Sequence, residues 1–342
     1  MKKINILDVA KYAGVSKTTV SNYLNNKFEY MSFETKGRIK QAIADLKYVP
    51  SVGAQMLKKE RCGVICVTIS YYMADTTFFY RCLQGINDAA KKLGYRILIY
   101  SSSKDGRMED DATYLKGLGR GMVDGFLLFE ITMHDLYVQA LEESKLPYVC
   151  FGKLNNTKYN KYVCLDHENG AEKSIDYLIS RGHQRIAILV GKESLIVSHR
   201  VVDAYKRVLQ ENRIPVDDDL IIFMNNDHRD YDNEYKLIRK MFTLSEPPTA
   251  AYVCPDYVSV FQGVLKDVGK SAPNDFSIIL SDFFDDRYYV EYKKFSHLKM
   301  PVYQLGITAV NSLMLLIEGH TEEFQPTVLP VELIINDSCS FI

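Results

Sequence analysis

The sequence predicts an α/β protein with a small helical head: an N-terminal three-helix helix-turn-helix domain, then a two-lobed core of doubly wound parallel sheets. Three observations predict it. Apolar residues recur at helical spacing, with no strand pattern, as far as Leu46. From Gly63 short apolar runs alternate with helical stretches, and the alternation restarts near residues 152–162. Charge divides at the same boundary: residues 1–61 carry 12 Lys+Arg against 5 Asp+Glu, and the rest carries 30 against 38. A basic head on an acidic body suits a nucleic-acid-binding domain joined to something that must not bind nucleic acid.

In the head, Ile6, Val9, Ala10 and Ala13 fall at i, i+3, i+4 and i+7, one face of a helix. Gly14 follows and reaches a left-handed cap without strain. Ser16 can cap a second helix through its hydroxyl, and that helix buries Val20, Tyr23 and Leu24. Small Ala10 lets the two helices cross closely. Ile39, Ala42, Ile43 and Leu46 mark a third helix, which Ser32 can cap. A sharp turn between two short helices is the motif whose second helix enters the DNA major groove. Lys17, Thr18, Ser21 and Asn22 face away from Val20 and Leu24 and can reach a duplex. Pro50 stops the third helix. Residues 50–59 form a helix of at most about nine residues, too short to persist alone, and Gly53 weakens it by roughly another 1 kcal/mol.

Gly63–Ile69 begins the core as a buried strand. Phe79, Cys82, Leu83, Ile86, Ala90 and Leu93 mark a helix, followed by the strand Arg96–Tyr100, the helix Asp110–Leu118 and the strand Gly125–Phe129. Leu136–Glu143 reads as a helix and Tyr148–Phe151 as a strand. The second round runs through strand Tyr162–Leu165, helix Gly170–Arg181, strand Arg185–Val190 and helix Val201–Asn212. Leu220–Met224, Tyr231–Met241, Ala250–Val253, Tyr257–Val268 and Ser277–Leu280 continue it, before His297–Lys299, the helix Val302–Glu318 and the strand Val331–Ile335. Such alternation implies a parallel sheet with helices on both faces.

Ligands in open parallel sheets bind beyond the carboxyl ends of strands, and two facing lobes set those ends on opposite walls of one cleft. Tyr72, Thr76, Phe78 and Phe79 follow the first strand, where an aromatic pair can stack on a sugar ring or a base, although Phe79 also fits the helix core. Asp166 follows the first strand of the second lobe, and Asp282 follows Ser277–Leu280. A carboxylate there can accept from two adjacent hydroxyls.

The seven cysteines are odd in number and contain no Cys-x-x-Cys, so free thiols in a reducing compartment are expected. Lys2 and Lys3 would suit an export signal, but Asp8 and Lys11 interrupt the apolar stretch that must follow. No apolar run reaches membrane-spanning length. A soluble, cytoplasmic protein without membrane association is expected. Gly117-Leu-Gly-Arg-Gly121 does not join a strand to a helix, as a phosphate cradle requires. The acidic run from Asp227 to Glu234 lacks a calcium loop's glycine. No nucleophile has a base partner and no histidines have ligand spacing, so no enzyme activity, cofactor or metal is expected.

Asp8-Val-Ala-Lys-Tyr-Ala-Gly-Val-Ser16, Thr19-Val-Ser21, Leu24-Asn25 and Leu46-Lys-Tyr-Val-Pro50 resemble the opening of the LacI/GalR (lactose-repressor) family of bacterial transcription regulators. Cys164-Leu-Asp-His-Glu-Asn-Gly-Ala171, Arg181-Gly-His-Gln-Arg-Ile-Ala187, Leu298-Lys-Met-Pro301 with Leu305-Gly306, and Leu329-Pro-Val-Glu-Leu333 extend the resemblance to about Ser338. The lobes then resemble periplasmic sugar-binding proteins in fold. The resemblance implies three domains: 1–49 for DNA binding, a hinge at 50–61, and an effector-binding and dimerisation core at 62–338. Within the core it implies a first lobe of about 62–153 and 294–323 and a second of about 154–293 and 324–338.

The resemblance further implies a homodimeric repressor on pseudo-palindromic operator DNA, controlled by a sugar or sugar derivative in the cleft. A purine- or other metabolite-responsive repressor is the alternative, and a solute receptor that does not bind DNA a weaker one. Lys17, Thr18 and Asn22 match base-reading positions. Asn22 replaces a common Arg, which favours adenine over guanine. Thr19, Ser21, Asn25 and Lys27 match phosphate contacts, and Ala54 and Leu57 match minor-groove contacts, Leu57 as an apolar wedge. Asp282 matches an effector-binding acid. The family's cleft Arg falls at Val201, one residue after Arg200, and Arg200 is the expected substitute. An Asn-Asp pair of the family is Pro255-Asp256 here, with Asp256 expected to cap the next helix.

Overall fold

Asn5 opens the head. Its side chain accepts from the amides of Leu7 and Asp8, while the Asp8 carboxylate accepts the Asn5 amide at 2.9 Å. This reciprocal cap starts α1 (Ile6–Ala13), and Gly14 closes it at φ 64. Ser16 accepts the Thr19 amide at 3.1 Å and so caps α2 (Lys17–Leu24). Ser32 does the same for α3 (Phe33–Asp45) through the Thr35 amide. Val9, Ala10, Ala13, Val20, Ile39, Ala42 and Tyr48 are buried together as the head's core. Tyr12 donates to Asp45 at 3.0 Å and ties α1 to α3.

One strained residue ends α3. Lys47, just past the C-cap, stands at φ 48 while the Tyr48 amide donates back to the Ile43 carbonyl at 3.0 Å. A side chain in the left-handed region costs about 1 kcal/mol that glycine avoids. Lys47→Gly is therefore expected to stabilise the head by about 1 kcal/mol, read as slower amide exchange in α3. Unchanged or faster exchange would show that no strain is stored there.

The structure, a computed structural model, describes residues 4–24, 27–29, 31–48, 61–70, 73, 76–102, 108–132, 135–155, 160–224, 230–282 and 294–341. It divides into two units, Met1–Cys62 and Gly63–Ile342. The expected hinge at 50–61 lies almost wholly outside the described residues.

The second unit holds two six-stranded sheets. The first comprises β1 (Val64–Ile69), β2 (Arg96–Ser101), β3 (Gly125–Leu128), β4 (Tyr148–Phe151), β5 (Tyr162–Leu165) and β11 (Thr327–Leu329), in the order β11-β5-β4-β3-β1-β2. The second comprises β6 (Ile186–Val190), β7 (Ile221–Phe223), β8 (Ala250–Val253), β9 (Ser277–Leu280), β10 (Ser296–Lys299) and β12 (Glu332–Ile334), in the order β12-β10-β9-β8-β6-β7. Every described pairing is parallel except β10 with β12. The intervening helices are α4 (Thr77–Lys92), α5 (Met108–Leu118), α6 (Leu136–Glu143), α7 (His167–Ser180), α8 (Ile196–Glu211), α9 (Tyr231–Met241), α10 (Val258–Asp267) and α11 (Val302–Glu318). The two-part fold class expected from the sequence is therefore present.

The lobe limits differ from those expected. Tyr162–Leu165 pairs with β4 and closes the first sheet rather than opening the second. Ser296–Lys299 stays in the second sheet beside β9. Thr327–Leu329 returns to the first sheet beside β5, and Glu332–Ile334 to the second. Local periodicity marks a strand without naming its neighbour, and long-range register decides the sheet. Helix α11 packs under β3, β4 and β5 as expected of the first lobe, and against α4.

His183 shows how the second lobe is closed. Its Nδ1 lies 2.9 Å from the Thr249 hydroxyl and its Nε2 2.9 Å from the Ser277 hydroxyl. Ser277 in turn accepts the Ser340 amide at 3.0 Å, fixing the last segment to β9. Burial lowers the imidazole pKa and keeps the ring neutral.

Candidate functional site

Two surfaces carry chemistry. The first is the outer face of α2. Val20 is buried, Lys17 and Thr18 are exposed, and Thr19, Ser21 and Asn22 are half-buried. Helical geometry thus presents Lys17, Thr18, Ser21 and Asn22 on one side, as the sequence predicts. The Thr19 hydroxyl lies 2.8 Å from that of Ser16 and belongs to the helix cap. Exposed Lys27 donates its amide to the Asn22 carbonyl at 2.9 Å, continuing the backbone beyond α2. Asn25, Ala54 and Leu57 lie outside the described residues.

The second is a cavity of about 280 Å³ inside the Gly63–Ile342 unit. Its lining comes from strand carboxyl ends: Phe129 and Glu130 after β3, Phe151 and Lys153 at β4, Val163–Leu165 on β5, Val190 and Gly191 at β6, Cys254–Asp256 after β8, and Ser281 and Asp282 after β9. Both sheets feed it, as the strand-end rule requires. Phe129 and Phe151 stack with centroids 4.0 Å apart, and Phe78 meets Phe129 edge-on at 6.5 Å. This aromatic group, with Met73, Ile131, Leu195 and Met300, makes much of the wall apolar.

Polar groups gather at the start of α7. Lys153 Nζ lies 3.0 Å from Glu168 Oε1, and Arg200 Nη1 lies 3.3 Å from the same oxygen. Burial alone would raise the Glu168 carboxyl, but the hydrogen bonds and charges of Lys153 and Arg200 win and hold it below the usual range. Burial works against the charged Lys153, and Glu168 reverses that and holds its ammonium above the ordinary value. Neighbouring His167 is pushed down to about 4 by burial, against the pull of Asp166 and Glu168, and is neutral near pH 7. Glu130 accepts the Ser70 amide at 3.0 Å. The Cys164 thiol is raised to about 11 and Cys66 to about 12 by burial, so neither is a thiolate near neutrality.

Of the residues expected in the cleft, Thr76, Phe78, Arg200 and Asp282 line the cavity, with Asp282 buried. Tyr72 lies outside the described residues. Phe79 is a core residue, 5% exposed and edge-on to Phe129 at 5.5 Å, and does not line the cavity. Asp166 is likewise absent from the lining and caps α7 by accepting the Asn169 amide. Thr76 caps α4, donating to the Met73 carbonyl and accepting the Phe79 amide, so its hydroxyl is already engaged. Asp256 lies in the single 3-10 turn Pro255–Tyr257 that leads into α10, and it lines the cavity. Sequence reasoning missed Phe129, Phe151, Lys153 and Glu168. Phe129 and Phe151 end predicted strands, and the strand-end rule could have found them.

A further feature spans the cleft. Thr132, after β3, and Leu195, before α8, form an antiparallel bridge, and the Ile196 amide donates to the Ile131 carbonyl at 3.3 Å. The Ile196 side chain is buried in the first-lobe cluster with Leu115, Phe126 and Leu141. Helix α8 starts here, five residues before the expected Val201.

Residues 5–51 match the family described as bacterial regulatory proteins, lacI family, and residues 175–339 match a periplasmic binding protein-like domain. Catabolite control protein A of Priestia megaterium is 28% identical over 335 residues, covering 96% of each chain. The lac repressor dimer bound to operator and the anti-inducer ONPF is similar at a TM-score of 0.86 and 23% identity, over 99% of this chain and 100% of that one. The transcriptional regulator CelR in complex with cellobiose gives 0.71 and 24%, over 98% and 99%. Among the described residues no helix is long and apolar enough to cross a membrane. With helix-turn-helix head, twin-sheet core and full-length relatives in agreement, the chain belongs to the LacI family and is a DNA-binding transcriptional regulator.

Proposed function

We propose that this regulator is a repressor, homodimeric on a pseudo-palindromic operator and governed by a sugar or sugar derivative held between its lobes. The cavity at the carboxyl ends of both sheets is the observation that carries the reading: a ligand there touches both lobes, so its binding energy can bias their angle. A coupling of only ~1–3 kcal/mol suffices. The operator-bound lac repressor dimer and the cellobiose-bound CelR support the reading by likeness. The aromatic group around Phe129 keeps a purine- or other metabolite-responsive repressor as the second reading, because planar bases stack on such rings.

A homodimer is supported by strand β2, which ends the first sheet with Leu98 and Ile99 exposed. Tyr80, Tyr114 and Met122 add exposed apolar surface elsewhere in the same unit. An open sheet edge with apolar side chains is a natural seat for a second copy. In this reading residues 50–61 fold as paired hinge segments on DNA, Ala54 and Leu57 enter the minor groove, and Lys17, Thr18 and Asn22 read bases while Thr19, Ser21 and Asn25 hold phosphates.

Lys17→Ala is expected to weaken operator binding by about 1–3 kcal/mol while leaving random-sequence binding nearly unchanged. Titrations of both duplexes at one fixed salt concentration check this. Equal loss on both would make Lys17 a phosphate contact. No duplex preference in the unaltered protein, with or without sugars and purines, would overturn the function proposed.

A further inference from the structure

The polar end of the cavity is built for more than hydroxyls. Two cations, Lys153 and Arg200, converge on one oxygen of one carboxylate, Glu168. They arrive from different elements: Lys153 follows β4 in the first sheet and Arg200 lies on α8. Arg200 also keeps a buried Nε with no hydrogen-bond partner among the described residues. Glu168 stands in the first turn of α7, so the positive end of a 14-residue helix faces the same place. Of the other acids, Asp166 stands beside Glu168 and is engaged in capping α7, Glu130 is held by the Ser70 amide, and Asp256 and Asp282 follow β8 and β9. The cavity lining thus holds a cationic pair, occupied by the protein's own carboxylate, and further carboxylates after β8 and β9 able to accept from hydroxyls.

We infer that the effector is an acidic sugar, whose anionic group displaces Glu168 between Lys153 and Arg200 while its hydroxyls donate to Asp282. This rests on the cleft being the effector site. Glu168 is 28% exposed and can turn to solvent when displaced. The anion is a carboxylate or a phosphate, since both accept from an ammonium and a guanidinium in the same way.

The test is thermal-shift and calorimetric titration of the full chain with hexuronates, hexose 6-phosphates, neutral hexoses and inorganic phosphate. One acidic sugar class is expected to raise the melting midpoint, with neutral hexoses and inorganic phosphate weak; which class responds identifies the anion. Lys153→Gln and Arg200→Gln should each weaken that binding by about tenfold or more, the worth of a charge-assisted hydrogen bond. Glu168→Gln should tighten it, because the internal competitor loses its charge, whereas a Glu168 that contacts ligand would make this variant bind more weakly. Lys116→Gln, at a remote surface ion pair, should change nothing. If a neutral hexose binds as well as its acid, and Lys153→Gln leaves that binding intact, the acidic-sugar assignment is overturned while the cleft stands as effector site. If no acidic sugar binds, the assignment is overturned as well. The cleft reading itself falls only if neutral hexoses and purines also leave midpoint and DNA affinity unmoved.

Discussion

Replacing Gly306 by alanine is expected to destabilise the core by about 3 kcal/mol or more, a fall in the melting midpoint on the order of 6–12 °C. Helices α4 and α11 meet through reciprocal glycines. A Cβ on Gly306 would strike the Cys82 carbonyl, and one on Gly85 would strike the Tyr303 carbonyl. Both obstacles are backbone, so no rotamer change relieves them and the helices must move apart. That movement is costly because α11 also packs under β3, β4 and β5, and Leu305, Ala309, Val310 and Leu313 are buried along it. It would also reach the cavity, since Thr76 and Phe78 lie at the start of α4 and Leu305 lies on α11. Gly117→Ala is the control. Gly117 sits in α5, where a Cβ would meet nothing within 4 Å, and its φ is not in the positive range. There alanine should be neutral or stabilising by up to about 1 kcal/mol through helix propensity. If both variants melted alike, the glycine contact would not be what holds α4 to α11.

The same pair of helices marks the limit of what is legible in the sequence. Periodicity located α11 as Val302–Glu318 and placed Gly306 in a recognisable motif, yet nothing local says that its partner is Gly85, more than two hundred residues earlier. The head was legible almost throughout, because caps such as Ser16 and Ser32 and the turn at Gly14 act within a few residues. The sheets were legible as strands but not as neighbours, hence the reassignment of Tyr162–Leu165 and Ser296–Lys299. Thr327–Leu329 was invisible, being three residues long without a buried run. The cavity was half-legible. Phe78 and Asp282 follow from position along the chain and Arg200 from the family resemblance, whereas the convergence of Lys153, Glu168 and Arg200 depends on how β4, α7 and α8 come together. Phe79 and Asp166 show the converse: residue type and position fit a ligand, but the side chains serve core packing and a helix cap.

Ile196→Ala is expected to open the cleft rather than simply loosen the fold. Truncating a buried isoleucine costs about 2–5 kcal/mol, and this side chain joins α8 to the first-lobe cluster around Leu115 and Phe126. Beside it lie the Thr132–Leu195 bridge and the Ile196–Ile131 hydrogen bond. That hydrogen bond is part of the bridge, so without the side chain this lip of the cleft is left to a backbone interaction worth only on the order of 1 kcal/mol net per hydrogen bond. The lip should then open far more often than the protein unfolds. Hydrogen exchange reads this directly: the amide of Ile196, which donates across to the Ile131 carbonyl, should lose protection, while the Thr132 amide, which donates to Asp135 within its own lobe, and those of β6 and β8 keep theirs. Val208→Ala supplies the comparison. Val208 is 2% exposed on the same helix, but it is not part of the cluster that takes in Ile196. It should lower the melting midpoint without selectively exposing the Ile196 amide. Equal loss of protection across both lobes in the two variants would mean that Ile196 is ordinary core and that closure is held elsewhere. Selective loss would identify Ile131–Thr132 and Leu195–Ile196 as the strap that any cleft ligand must work with, and would make its strength a direct control on how tightly effector binding is coupled to lobe closure.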